Sequence, residues 1–159
     1  MNDEQLVADL RREKARETAA HIACLRRLRQ LHERGFTPRE LASITNDLET
    51  SIDNLLRRAP IDAPDVRPGS HGGTAYEIAA RYAAGEIDRE VALRELIAWE
   101  YERPLPPPPP EFAWCNDGAP LVEGSFNIQI GSALQSGFLT DDDYEAIFDA
   151  LVDDPEPQT

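Results

Sequence analysis

Apolar residues recur at every third or fourth position through most of the chain, and this spacing is interrupted three times in the same way. In "ERGFTPRELA" (33–42), "AAGEIDREVA" (83–92) and "QSGFLTDDDYEAI" (135–147), a glycine is followed within two residues by an apolar side chain, then by Thr or Asp and an acid. Glycine takes the left-handed conformation that ends a helix, and Thr or Asp with a nearby acid caps the next one. The pattern therefore predicts three corners, at each of which one helix ends and another begins.

Patterns typical of β-strands are nearly absent from the chain. Only "FNIQI" (126–130) combines alternating positions with β-branched residues, and it is short. We therefore predict an all-α protein in which strands hold less than about a tenth of the residues.

Two stretches rich in proline and glycine divide the chain. "RAPIDAPDVRPGSHGG" (58–73) lacks sustained apolar periodicity, and "RPLPPPPPE" (103–111) is typical of a polyproline spacer. The predicted organisation is an N-terminal helical domain at 1–60, a linker at 61–73, a helical hairpin at 74–102, a proline-rich linker at 103–123, a second hairpin at 124–152 and an acidic tail at 153–159.

The two hairpins resemble diverged copies of one unit. "GTAYEIAARYAAGEID" (73–88) aligns with "GSFNIQIGSALQSGFLT" (124–140) when one residue is inserted in the latter. In the first copy, Thr74 and Glu77 have the spacing of a reciprocal capping box. A hairpin of this size buries too little surface to fold alone, so we expect the copies to pack on each other, on the N-terminal domain or on a partner.

Residues 25–59, "LRRLRQLHERGFTPRELASITNDLETSIDNLLRRA", resemble the helix-turn-helix of bacterial repressor-type regulators. In this resemblance "TPRELASIT" is the positioning helix and "ETSIDNLLRR" is the recognition helix. Ala42 stands at the small position between the helices, and Asn46 stands at the turn position that requires tolerance of a positive φ. Ile52 is the apolar recognition-helix position, and a three-helix core would be completed by Leu41, Ile44, Leu48, Leu55 and Leu56.

The whole arrangement is also similar to small actinobacterial-type regulators, in which segments like those at 70–101 and 123–147 follow the helix-turn-helix. This resemblance implies regulation of transcription, but it assigns no operator, effector or chemistry. The same tri-helical fold also serves as a protein-binding module, so that alternative stays open.

If the helix-turn-helix binds double-stranded DNA, the side of the recognition helix opposite its core residues reads the bases. Asn54 is the best base reader, since its amide can bond adenine at two points. Arg39 and Arg58 are expected to grip phosphates without specifying sequence. The complete set of predicted DNA contacts is Arg39, Thr50, Ser51, Asn54, Arg57 and Arg58.

The distribution of charge along the chain supports DNA binding in one part and opposes it in another. The formal net charge is -14; residues 1–60 hold 11 basic and 10 acidic side chains, and the remainder holds 5 basic and 20 acidic ones. The C-terminal part should therefore repel phosphate. The recognition helix itself carries Glu49 and Asp53, and Asp47 stands after the turn position before it, where an apolar residue is usual.

Two classes of function follow from this charge pattern. One is a DNA-binding regulator, expected to be a homodimer because a single small helix-turn-helix binds weakly. In that case we expect residues 140–156 to lie near the arginine-rich N-terminal part and to regulate it. The other is an acidic protein-interaction module, such as an antitoxin, an adaptor or a mimic of DNA charge, that does not bind DNA.

Nothing in the sequence indicates an enzyme, and we expect no catalytic residues, no cofactor and no metal site. The three histidines are not spaced with cysteines or carboxylates as a ligand set, and Cys24 and Cys115 form no CxxC motif. The chain starts "MNDEQ" and has no long apolar run. We therefore expect a soluble cytoplasmic protein with no membrane partner.

Overall fold

The computed structural model describes residues 2–103 and 122–153, and within these ranges it contains seven α-helices and no strand. The prediction of an all-α protein is confirmed, and "FNIQI" lies inside a helix. The helices are α1 (Asp3–Glu33), α2 (Pro38–Thr45), α3 (Glu49–Asp62), α4 (Ala75–Ala83), α5 (Arg89–Ala98), α6 (Phe126–Gln135) and α7 (Asp141–Asp153).

The three predicted corners are present between α1 and α2, between α4 and α5, and between α6 and α7. Gly35, Gly85 and Gly137 all have positive φ, at 103°, 82° and 79°. After the last corner, the Thr140 N–H donates to the Asp143 carboxylate at 3.0 Å and the Asp143 N–H donates to Thr140 Oγ1 at 3.1 Å. Glycine conformation and reciprocal capping are both local interactions, which is why the sequence pattern located these corners.

Helix α1 connects the two parts of the protein. Towards its C-terminal end it packs on α2 and α3, and with another side it packs on α4. The cluster under α2 and α3 contains Leu28, Leu41, Ala42 and Ile52. Where α1 packs on α4, Ala15 of α1 is buried in the larger core that the C-terminal helices form. The N-terminal part and the first copy of the hairpin unit are therefore packed together.

The four C-terminal helices share one core. Helix α4 packs on α5 and α6, and α5 packs on α7. Ile78, Leu96, Ile130 and Ile147, one from each of these helices, are fully buried in this cluster. The two C-terminal segments were expected to pack on each other, on the N-terminal domain or on a partner. In the structure they pack on each other, and the first of them also packs on α1 through α4.

The segment predicted to be a linker at 61–73 is shorter and more tightly held than expected. Helix α3 continues through Pro60 and ends at Asp62, so the first two linker residues are helical. The Arg26 Nε then donates to the Pro64 carbonyl at 2.8 Å, which holds the segment against α1. Proline and glycine mark this loop correctly, but long-range hydrogen bonds fix it in place.

Only half of the capping box predicted at Thr74 forms. The Glu77 N–H donates to Thr74 Oγ1 at 3.1 Å, as expected for an N-cap. The Glu77 carboxylate, however, accepts hydrogen bonds from the guanidinium groups of Arg26 and Arg81 and from the Gly73 N–H. The prediction was wrong for this side chain because two arginines, one of them from α1, offer a buried carboxylate better compensation than a backbone N–H does.

We predict that Gly73→Ala lowers the free energy of unfolding by about 1–3 kcal/mol, since the added methyl group overpacks the loop. A Cβ at residue 73 would lie 2.3 Å from the Pro64 carbonyl oxygen, and a backbone atom cannot rotate away. The control is Gly131→Ala within α6, where a Cβ meets nothing within 4 Å; it should stabilise the helix by about 0.5–1 kcal/mol. Urea unfolding measures both, and equal effects would contradict the close approach at residue 73.

Some expectations fall on residues that the structure does not describe. These are most of the proline-rich linker (104–121), which includes Cys115, and nearly all of the acidic tail (154–159). The predicted polyproline spacer therefore stays a prediction.

Candidate nucleic-acid interface

The corner between α2 and α3 is a three-residue turn that begins at Asn46. This residue is in the left-handed conformation, with φ 59° and ψ 37°, and it is the only non-glycine residue with positive φ in the described part of the chain. The Asp47 N–H donates to the Ala42 carbonyl at 3.0 Å, which closes the end of α2. Asparagine tolerates this conformation better than most residues, and the positive φ expected at Asn46 is observed.

The side chains beneath the turn match the expected core only in part. Leu41 and Ile52 are fully buried, Ala42 is nearly so, and Leu55 and Leu56 are partly buried. The helices α2 and α3 are therefore held by apolar contacts on the sides that face α1.

Two residues predicted for this core, Ile44 and Leu48, are instead exposed, with 63% and 73% of their surface accessible. Ile44 follows the buried Ala42 by two residues, which places it on the other side of the eight-residue helix α2. Leu48 stands in extended backbone before α3 begins, so the helix does not carry its side chain to the buried face. Both core assignments were wrong: Ile44 is turned away by the helical phase of α2, and Leu48 lies before α3, which starts at Glu49 as the sequence indicated.

The predicted base-reading residues lie on the outer side of α3. Thr50, Ser51, Asn54 and Arg57 are all exposed, while Ile52 between them is fully buried. The spacing of residues 50, 54 and 57 places them along one side of the helix. This part of the sequence prediction agrees with the positions in the structure.

Three of the seven arginines in residues 21–60 are engaged within the chain. Arg26 pairs with Glu77, and Arg29 pairs with Glu33 and Asp65. Arg58 donates to Asp62 at 2.8 Å and to Glu123 at 3.3 Å. These hydrogen bonds raise the pKa of Arg58 and direct its guanidinium towards the C-terminal part of the protein.

The other four arginines, Arg27, Arg34, Arg39 and Arg57, are exposed. Arg27 bonds only the Gln30 amide, and the remaining three have no side-chain partner among the described contacts. Arg34 lies directly before the corner that leads into α2, near Arg39 in sequence. Neither Arg27 nor Arg34 forms an ion pair among the described contacts, and this could be seen only in the folded chain.

Three carboxylates oppose these arginines. Asp47, Glu49 and Asp53 are exposed, and none forms an ion pair within the described residues. Residues 38–62, which span α2 and α3, hold three basic and five acidic side chains, so this region has no net positive charge. Its long-range attraction for phosphate is accordingly small.

The acidic end of the described chain lies elsewhere in the fold. Residues 122–153 hold seven acidic and no basic side chains, most of them in α7. Helix α7 packs on α5 and α6, and it makes no contact with α1, α2 or α3 in the described structure. The expectation that residues 140–156 lie near the arginine-rich part is therefore not supported for residues 140–153.

The described ranges hold no arrangement typical of a metal site. They contain no group of three or more His, Cys, Asp or Glu side chains placed to hold a metal ion. None of the helices in residues 2–103 and 122–153 combines the length and apolarity needed to cross a membrane. Comparison with protein-family models, curated proteins and solved structures found no match to this chain.

Proposed function

We propose that this protein is a DNA-binding transcriptional regulator in which α2 and α3 form a helix-turn-helix and α3 enters the major groove. The observation that carries the proposal is the turn at Asn46. Its left-handed backbone joins α2 to α3, which pack together with Leu41 of α2 and Ile52 of α3 fully buried. That arrangement leaves Thr50, Ser51 and Asn54 at the start of α3 facing outwards, where a recognition helix contacts base edges, beside the exposed acids Glu49 and Asp53.

The exposed side chains divide into two roles. Asn54 is suited to direct readout of adenine, with Thr50 and Ser51 beside it as further hydrogen-bonding groups. Arg39 and Arg57 are free to contact phosphates, and Arg34 joins them on the same grounds. Arg58 is a weaker candidate than the sequence indicated, because Asp62 and Glu123 already hold its guanidinium.

Asn54→Ala should relax the preference for one base pair, at a cost of about 1–3 kcal/mol on the best sequence and little on others. Arg39→Ala should weaken binding to all sequences alike and reduce the salt slope by about one unit. Selection from a random duplex library, followed by titration at several salt concentrations, measures both effects.

The control for lost positive charge is Arg94→Ala, which removes an exposed arginine from α5, away from the proposed interface. It should leave sequence preference and the salt slope unchanged. If all three variants bind every duplex as the parent does, α3 is not a reading helix.

A second function is favoured by the exposure of Ile44 and Leu48 beside the unpaired acids Asp47 and Glu49. Exposed apolar side chains next to carboxylates in the chain suit a basic protein surface better than they suit phosphate. In this alternative the chain is an acidic interaction module, and the acids of α7 add to its negative electrostatic potential. Full-length protein that binds no duplex even at low salt would favour it over DNA binding.

A further inference from the structure

The first twelve residues of α1, 3–14, extend beyond the rest of the fold. The first buried residue of the helix is Ala15, and the preceding segment rises about 18 Å at 1.5 Å per residue. Its described side-chain hydrogen bonds, such as those from Gln5 to Asp9 and from Lys14 to Glu17, all stay within α1. Extending an existing helix is only slightly favourable per residue in water, so these twelve residues gain stability from any surface that covers them.

The extension carries an exposed apolar strip. Leu6, Val7 and Leu10 keep 51%, 47% and 64% of their surface accessible. Val7 and Leu10 continue at alternating spacings of four and three residues to Asp3 on one side and Lys14 on the other. This is the spacing of a coiled-coil seam, with two apolar positions between two opposite charges.

We propose that this segment pairs antiparallel with the same segment of a second copy of the chain. With a two-fold axis between Val7 and Leu10, Val7 of each copy lies opposite Leu10 of the other. The same register places Asp3 of each copy opposite Lys14 of the other. Leu6 flanks the seam and is covered by the aliphatic part of Arg11 from the second copy.

The charges of the segment select a second copy, and they select the antiparallel direction. Residues 3–9 hold three acids and no base, whereas residues 11–16 hold four bases and one acid. Antiparallel pairing brings the acidic end of each copy to the basic end of the other, while parallel pairing opposes like charges. Because the contact is self-complementary about a two-fold axis, it closes as a dimer.

The pairing does not depend on DNA binding, so the two proposals fail separately. Sedimentation equilibrium of the full chain without DNA should show a concentration-dependent dimer. The double variant Val7→Gln/Leu10→Gln should weaken dimerisation at least tenfold, because it removes the apolar centre; glutamine is a good helix former, so circular dichroism should show α1 preserved. The matched control is Val152→Gln in α7, which alters a residue as exposed as Leu10, at 64%, and should not change association.

A charge swap tests the direction of pairing. Asp3→Lys and Lys14→Asp should each weaken self-association about tenfold, since each turns two attractive contacts per dimer into repulsive ones. An equimolar mixture of the two variants should associate as well as the parent, because every opposed pair is again of unlike charge. Raised salt should reduce the difference between parent and variants.

Three outcomes would overturn the proposal: a parent protein that stays monomeric up to about 1 mM, a Val7→Gln/Leu10→Gln variant that dimerises like the parent, or a mixture of the charge variants that fails to associate. Loss of vesicle binding, and not of self-association, in the apolar double variant would assign the strip to a lipid surface and also overturn it.

Discussion

Glu77→Gln should lower the free energy of unfolding by about 3–5 kcal/mol, because it leaves the guanidinium of Arg26 charged and buried without its counter-ion. Glu77 is fully buried and Arg26 keeps only 7% of its surface accessible. The carboxylate also accepts from Arg81 Nη2 at 2.9 Å and from the Gly73 N–H at 2.8 Å. One substitution therefore removes the contact that joins α1, the loop after α3 and α4.

The same carboxylate should make the stability sensitive to acid. Burial on its own would raise the pKa of Glu77, but the hydrogen bonds from Arg26, Gly73 and Arg81 outweigh it and hold the pKa below its usual value of 4.5. A carboxyl with a lowered pKa in the folded state contributes its full stabilisation above 4.5, and this is lost as the pH falls towards the folded pKa. Denaturant midpoints measured from pH 7 down to about 3 should fall in the parent and fall less in Glu77→Gln.

The control for Glu77→Gln is Glu123→Gln, which breaks the ion pair with Arg58. Both of those side chains are about half exposed, at 50% and 48%, so water replaces the lost contact and the denaturant midpoint should scarcely move. The double variant Arg26→Met/Glu77→Leu should recover most of the loss, because it removes both buried charges together. A double variant as unstable as Glu77→Gln would show that packing, and not the uncompensated charge, sets the cost.

Ile52→Ala should cost about 2–5 kcal/mol, since it opens a cavity under α3 where the side chain is fully buried. Leu48→Ala, four residues earlier, should change stability by less than about 0.5 kcal/mol, because its side chain is 73% exposed. Urea unfolding measures the pair, and hydrogen exchange of the α2 and α3 amides should show that Ile52→Ala loosens these two helices before the rest of the fold.

This pair also separates the observed exposure of Leu48 from the sequence expectation, which put both residues in the core. Similar losses for Ile52→Ala and Leu48→Ala would place Leu48 inside and would contradict the structure around the Asn46 turn.

Features that depend on neighbours within one helical turn could be predicted from the sequence. The glycine corners and the reciprocal cap at Thr140 and Asp143 follow from left-handed glycine and from contacts three residues apart. The outward position of Asn54 follows in the same way, because helical periodicity alone places it away from Ile52. These features needed no knowledge of what the helices pack against.

The long-range contacts among side chains became visible only in the packed structure. Besides its local partner Arg81, Glu77 pairs with Arg26, 51 residues away; besides its local partner Asp62, Arg58 donates to Glu123, 65 residues away. No local spacing encodes these distant pairs, since they exist only once α1 has met α4 and α3 has met the segment before α6. Burial removes water from Arg26 and Glu77 and makes their contact a structural one, whereas Arg39 stays in solvent, where its charge remains available to a partner.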